Sequence, residues 1–135
     1  MTGDYVATEQ RRGAIVGQDN PAADRDYLIS LLLVPPDGAG WRGLLQLVPD
    51  RLIVAPDGLT DYLDALASLH FGSLEQCAAT VFDDLNNELV PRWLCLTLTG
   101  AGRSVRLQDS QPNWRNEDLL RAALAEDRAE LLSQS

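Results

Sequence analysis

Sustained hydrophobicity begins only at Tyr27, and from there the apolar positions alternate between two periods. The run YLISLLLVP is short, aliphatic and closed by Pro35-Pro36, which predicts a strand. A turn, Asp37-Gly38-Ala39-Gly40, leads into WRGLLQLV (Trp41 to Val48), a second strand closed by Pro49-Asp50, so the two read as a hairpin. RLIVA, Arg51 to Ala55, extends that sheet or crosses over from it. From Asp57 to Leu69 the period changes. Leu59, Tyr62, Leu63 and Leu66 fall at i, i+3, i+4 and i+7, the stripe of an amphipathic helix with Asp61 and Asp64 outside. Ser73 and Gln76 then form a capping box ahead of a second helix. Its face is Leu74, Cys77, Ala78, Val81, Phe82, Leu85 and Leu89, and Pro91 stops it. WLCLTLT (Trp93 to Thr99) and RSVRLQ (Arg103 to Gln108) alternate around Gly100-Ala101-Gly102, a second hairpin. After Pro112 and Trp114, Asn116 is placed to cap a last helix. Glu117 and Asp118 stand in its first turn, and Leu119, Leu120, Ala123 and Leu124 form its apolar side.

This order predicts an α+β fold: an antiparallel four-stranded sheet (ββααββ) with two helices on one face, plus a C-terminal helix. Residues 1–25 are polar and show no sustained period, so they are expected to form an extended or partly disordered arm before a single domain over 26–135. A small sheet with helices on one face leaves apolar side chains on the other. Self-association into a homo-oligomer through the sheet edges is therefore expected.

Composition narrows the function classes. The chain has 135 residues, 45% hydrophobic and 23% charged, which suits one globular domain. No apolar run approaches the ~18–20 residues that span a bilayer, and MTGDYVATEQRRG is not a secretory signal, so no membrane association and a cytoplasmic location are expected. The net charge of -9 opposes phosphate binding, so no nucleic-acid partner is expected. All 11 basic residues are Arg. The absence of Lys excludes a P-loop, a Schiff base and a catalytic ammonium. Cys77 and Cys95 are 18 residues apart and His70 is the single histidine, a set that does not make a zinc site. Both cysteines read as small core residues, and Trp41, Trp93 and Trp114 as packing residues beside strands.

Several of these segments, taken in order, resemble the QueF-type 7-cyano-7-deazaguanine (nitrile) reductases. The similarity runs from about Asp26 to Arg115, roughly two thirds of the chain. It is carried by Leu47-Val48-Pro49-Asp50, Tyr62-Leu63, Glu75-Gln76-Cys77, Asp84-Leu85, Pro91-Arg92 and the segment PNWR at 112–115. The resemblance implies the tunnelling fold, the ββααββ unit shared with GTP cyclohydrolase I, and a place beside the queuosine pathway.

The resemblance also implies a catalytic set that this sequence lacks. The family's thiolate should stand near Leu32 to Val34, where every residue is aliphatic. Its acid would fall at Gly40, with Asp37 three residues away. Its Glu-Ser-Lys-Ser-x-Lys motif becomes Ala55-Pro56-Asp57-Gly58-Leu59-Thr60, and its His-Glu pair becomes Leu74-Glu75. The implied function is a relative without reductase activity, with NADPH used only if the family reaction survived. It would bind a purine- or pterin-like heterocycle through Glu75, the glutamate that in this fold anchors a guanidine-like edge. His70 and Asp37 complete the candidate ligand-binding set. Two alternatives are an enzyme of different chemistry using Asp37, Glu75 and His70 as acids and bases, and an acidic accessory or chaperone-like interaction protein.

Overall fold

Two hairpins are joined edge to edge through their inner strands. The computed structural model describes residues 2–133, with side chains from 7 to 126. Strands β2 (Ile29–Leu33), β3 (Arg42–Val48), β5 (Trp93–Gly100) and β6 (Arg103–Ser110) form a four-stranded sheet in that order, antiparallel throughout. The middle pair sets the register: Leu45 lies opposite Leu96 and Gln46 opposite Cys95. Because strand side chains alternate, Leu45, Leu47, Leu94, Leu96 and Leu98 all point to one face. Helices α2 (Thr60–Leu66) and α3 (Leu74–Leu89) bury Tyr62, Leu63, Leu66, Val81, Leu85 and Leu89 against that face. The architecture is therefore mixed α+β with antiparallel sheets, as the pattern predicts.

The capping signal before α3 holds with one shift. Ser73 Oγ accepts from the Gln76 amide at 3.1 Å, but the Gln76 side chain reaches one residue further back and accepts from the Gly72 amide at 2.7 Å. At the other end Val90 takes a left-handed conformation, φ 44°. Proline at 91 disfavours the helical region for the residue before it, so the chain turns out of the helix there.

The expectation of an extended arm over residues 1–25 is corrected. Thr2–Gly13 form a helix, α1, and Gly17–Asp19 form a strand, β1, which pairs antiparallel with β4 (Leu52–Val54) in a separate two-stranded sheet. Ile15 is buried in the main core, so the domain has no boundary at residue 26. The α1 sequence has a thin apolar face, and the contacts of its described side chains with α3 are polar. Arg11 and Arg12 both bind the Asp84 carboxylate, which is 1% exposed on α3. Asn20 ties the following loop down, donating to the Asp50 carbonyl at 2.7 Å and accepting from the Ala22 amide and the Tyr27 hydroxyl.

The second face of the sheet is also not left bare. Helix α4 (Glu117–Ser133) crosses it, with Ala123 packed among Val48, Trp93 and Cys95 and flanked by Trp114, Leu119 and Leu120. Gln46, 1% exposed, points from the sheet centre and donates to the Ala123 carbonyl at 2.7 Å. Asn116 caps α4 as predicted, its side-chain oxygen accepting from the Leu119 amide. Asp26 holds the start of α4 in place by accepting from Arg92, Trp114 Nε1 and Asn116 Nδ2. Beyond the reach of α4, Leu32 and Val34 remain 56% and 57% exposed. Among the described residues no helix is long and apolar enough to cross a membrane.

Candidate functional site

Both hairpin turns and the connection between α2 and α3 meet at one end of the sheet. The turns touch: a Cβ on Gly100 would run into the Gly40 carbonyl oxygen and press on Trp41. Gly38, Gly40 and Gly102 take positive φ, 92°, 82° and 74°, the conformation that lets these short turns close. The contact divides the end of the molecule into two hollows that share Gly38, Gly40, Trp41 and Gly100.

The hollow on the helix side has a volume of about 440 Å³. Its walls are Trp41, Leu69, Phe71, Leu74 and Cys77, with His70 and Ser73 as side-chain polar groups. Trp41 and Phe71 are half-buried, each with one side on the core and one on the hollow. That volume falls within the range of small-molecule clefts, and most of the side chains lining it are apolar, while backbone and polar groups make up nearly half of its surface. The hollow on the other side is larger and more open, about 930 Å³, and carries Asp37, Arg42, Thr99, Arg103 and Ser104.

The three expected ligand-binding residues are thus not brought together. His70 lines the helix-side hollow, Asp37 lines the other, and Glu75 lines neither. All three are exposed. Glu75, in the first turn of α3, is engaged by Arg103: Nη1 donates to Oε2 at 2.8 Å and to Oε1 at 3.0 Å. This hydrogen bond holds the Glu75 carboxyl below the ordinary carboxylate range. The pair ties α3 to the turn between β5 and β6, across 28 residues of sequence.

Neither thiol is poised for attack. Burial pushes Cys77 up to about 11, and burial also raises Cys95. At neutral pH both are thiols, and the thiolate is the nucleophile. Among the described residues no group of three His, Cys, Asp or Glu side chains is placed to hold a metal ion.

Sequence pattern does not select Phe71 for the site, and gives Arg103 only as the first residue of a strand. Phe71 lies between two periodic segments, outside either stripe, and the ion pair depends on a register between α3 and β6 that local pattern does not carry. Trp41, a packing residue by its place beside a strand, packs on the core and also walls the helix-side hollow. The chain matches no protein-family model, and no curated protein matches it.

Proposed function

We propose that this chain is a tunnelling-fold-like binding protein, related to the QueF-type reductases but without their chemistry, that takes up a planar purine- or pterin-like heterocycle. The order of elements, hairpin, helix pair, hairpin, supports the fold reading, with α1, the β1–β4 pair and α4 as additions to it. The observation that carries the functional reading is the 440 Å³ hollow with Trp41 and Phe71 in its walls. Aromatic faces hold flat rings by stacking, and backbone groups of the glycine turns are at hand for the ring edges.

Binding fits these residues better than catalysis. Proton transfer needs acid and base within hydrogen-bond reach of one reacting centre, and Asp37, His70 and Glu75 lie in different places. Aliphatic Leu32, Leu33 and Val34 stand where the related enzymes keep their nucleophile. Glu75 is paired with Arg103 and lies outside the walls of the helix-side hollow, so it is not assigned as the ligand's anchor.

Titration calorimetry with 7-cyano-7-deazaguanine, guanine and a pterin tests the reading. A heterocycle should bind, Phe71→Ala should abolish the heat while the circular dichroism spectrum is kept, and Glu75→Gln, which lies outside the walls of the hollow, should leave binding unchanged. No binding of any of them at millimolar concentration rejects the hollow as a heterocycle site. NADPH consumption dependent on the nitrile and on this polypeptide rejects the loss of chemistry.

A further inference from the structure

The open hollow of about 930 Å³ beside the hairpin turns contains a row of side chains set by strand register. Arg42 on β3 lies opposite Thr99 on β5, and Thr99 lies opposite Ser104 on β6. All three line the hollow. Strand alternation sends them to the face that carries Val48, Trp93 and Cys95, nearer the hairpin turns than the part Ala123 covers. Opposed side chains on neighbouring strands stand about 5 Å apart at Cβ, so one guanidinium and two hydroxyls sit side by side across three strands. The other arginine of this lining, Arg103, is taken by Glu75, as Arg11 and Arg12 are by Asp84 and Arg92 by Asp26 and Asp50. Arg42 has a hydroxyl opposite it in place of an acid. Among the described residues nothing pairs with the side chains of Arg42, Thr99 or Ser104. The acid in the lining is Asp37, exposed on the turn between β2 and β3 and in no ion pair among the described residues.

We propose that this row is a binding site for a phosphate group. Arg42 supplies the charge and a planar fork for two oxygens, and Thr99 and Ser104 supply O–H donors. Three donor groups spread over three strands suit the several oxygens of a tetrahedral phosphate, whereas the fork alone fills a flat carboxylate. In a chain without lysine an arginine has to carry this charge. The hollow is larger than one phosphate, and Val34, Pro35 and Trp41 in its walls offer surface to an apolar remainder of a small phosphorylated molecule. The net charge of -9 opposes a polyanion, which needs a long basic face. A single phosphate is held by the groups that touch it, and charges beyond about 8 Å are screened at physiological salt. The proposal does not rest on the heterocycle reading, since Arg42, Thr99 and Ser104 are not among the walls of the helix-side hollow.

Titration calorimetry with phenyl phosphate, inorganic phosphate and benzoate, none of which carries a heterocycle, tests it. Phenyl phosphate should bind, and less tightly as salt is added. Arg42→Gln should lower its affinity about tenfold or more, and Ser104→Ala severalfold. Both positions are exposed, so the circular dichroism spectrum should be kept. Asp37→Asn, which removes a like charge from the lining, should tighten binding. Arg51→Gln removes the same charge as Arg42→Gln but lies outside the hollow, and should leave binding unchanged. Ser104→Ala and Asp37→Asn decide the matter if Arg42→Gln fails to fold. Inorganic phosphate binding as tightly as phenyl phosphate assigns the site to the free ion, and weaker binding assigns it to a phosphorylated organic molecule. No binding of either at millimolar concentration, benzoate binding as tightly as phenyl phosphate, or equal losses in Arg42→Gln and Arg51→Gln overturns the proposal.

Discussion

Arg11 grips Asp84 across 73 residues of sequence, its Nε 2.6 Å from Oδ2 and its Nη2 3.0 Å from Oδ1. Arg12 adds a bond to Oδ1 at 2.7 Å, and Tyr62 donates to Oδ2 at 2.6 Å. One buried carboxylate therefore fastens three helices, α1, α2 and α3, to each other. Burial alone would push its pKa up, but the hydrogen bonds from Arg11, Arg12 and Tyr62 outweigh that and hold it below the ordinary carboxylate value. Burial and the same carboxylate push the Tyr62 phenol up.

Asp84→Asn is expected to destabilise the fold by about 3–5 kcal/mol, because it leaves two guanidinium groups facing an amide in a buried place. Tyr62→Phe, which removes one donor of several, is expected to cost about 1–2 kcal/mol. Urea unfolding of the three proteins measures both.

The same group sets the response to acid. The folded value of Asp84 lies below its unfolded one, so its contribution is complete above the ordinary carboxylate range. It is lost as the pH falls through the lower, folded value. Wild type should lose stability steeply on acidification below the usual carboxylate range. Asp84→Asn should show a flatter profile there. Thermal unfolding at a series of pH values compares the two.

How far the sequence discloses this depends on distance along the chain. Short-range signals are legible: Ser73 caps α3, Asn116 caps α4, and the leucines of WLCLTLT alternate as strand residues must. Helix α1 is not, since its sequence has a weak stripe and its described side chains Arg11 and Arg12 are held by Asp84, more than 70 residues away. The cover that α4 provides over the second face has the same cause: Gln46 in mid-strand looks like an interruption until Ala123 arrives above it. For the site, the residues were legible as types and not as neighbours. Asp37 and His70 fall on opposite sides of the contact between Gly40 and Gly100, a division that only the folded turns create.

Val90→Asn is expected to stabilise the protein by roughly 0.5–1 kcal/mol. A β-branched residue is held at φ 44° at the end of α3, where asparagine tolerates the left-handed conformation better. Val90 is 58% exposed, so little packing is lost. The shift in urea midpoint reads the gain, and a decrease would show that Val90 contributes contacts that outweigh its backbone strain.

Both cysteines should resist thiol reagents in the native protein. Cys77 and Cys95 are 3% and 1% exposed, and burial raises both, Cys77 to about 11. At pH 8 the thiolate fraction is small and a reagent reaches it only through opening of the fold. Titration with a chromogenic disulfide should release almost nothing in buffer and two equivalents of thiol, one per cysteine, in denaturant. Rapid labelling of the native chain would show that the wall of the helix-side hollow near Cys77 opens readily.

Gly100→Ala tests whether the two hollows depend on the contact between the hairpin turns. The added methyl would meet the Gly40 carbonyl oxygen, a backbone atom with no rotamer to move, and would press on the Trp41 backbone at 3.4 Å. The turn between β2 and β3 must then shift away from the turn between β5 and β6. Overpacking of this kind costs about 1–3 kcal/mol, a loss that urea unfolding reads. Because Trp41 and Gly40 wall the helix-side hollow, the shift should also weaken any heterocycle that binds there. Gly102→Ala is the control: no atom lies within 4 Å of its added methyl, so it should strain its own turn, at φ 74°, without separating the hairpins. Binding lost in Gly100→Ala and kept in Gly102→Ala places the ligand against the contact; equal binding in both places it elsewhere.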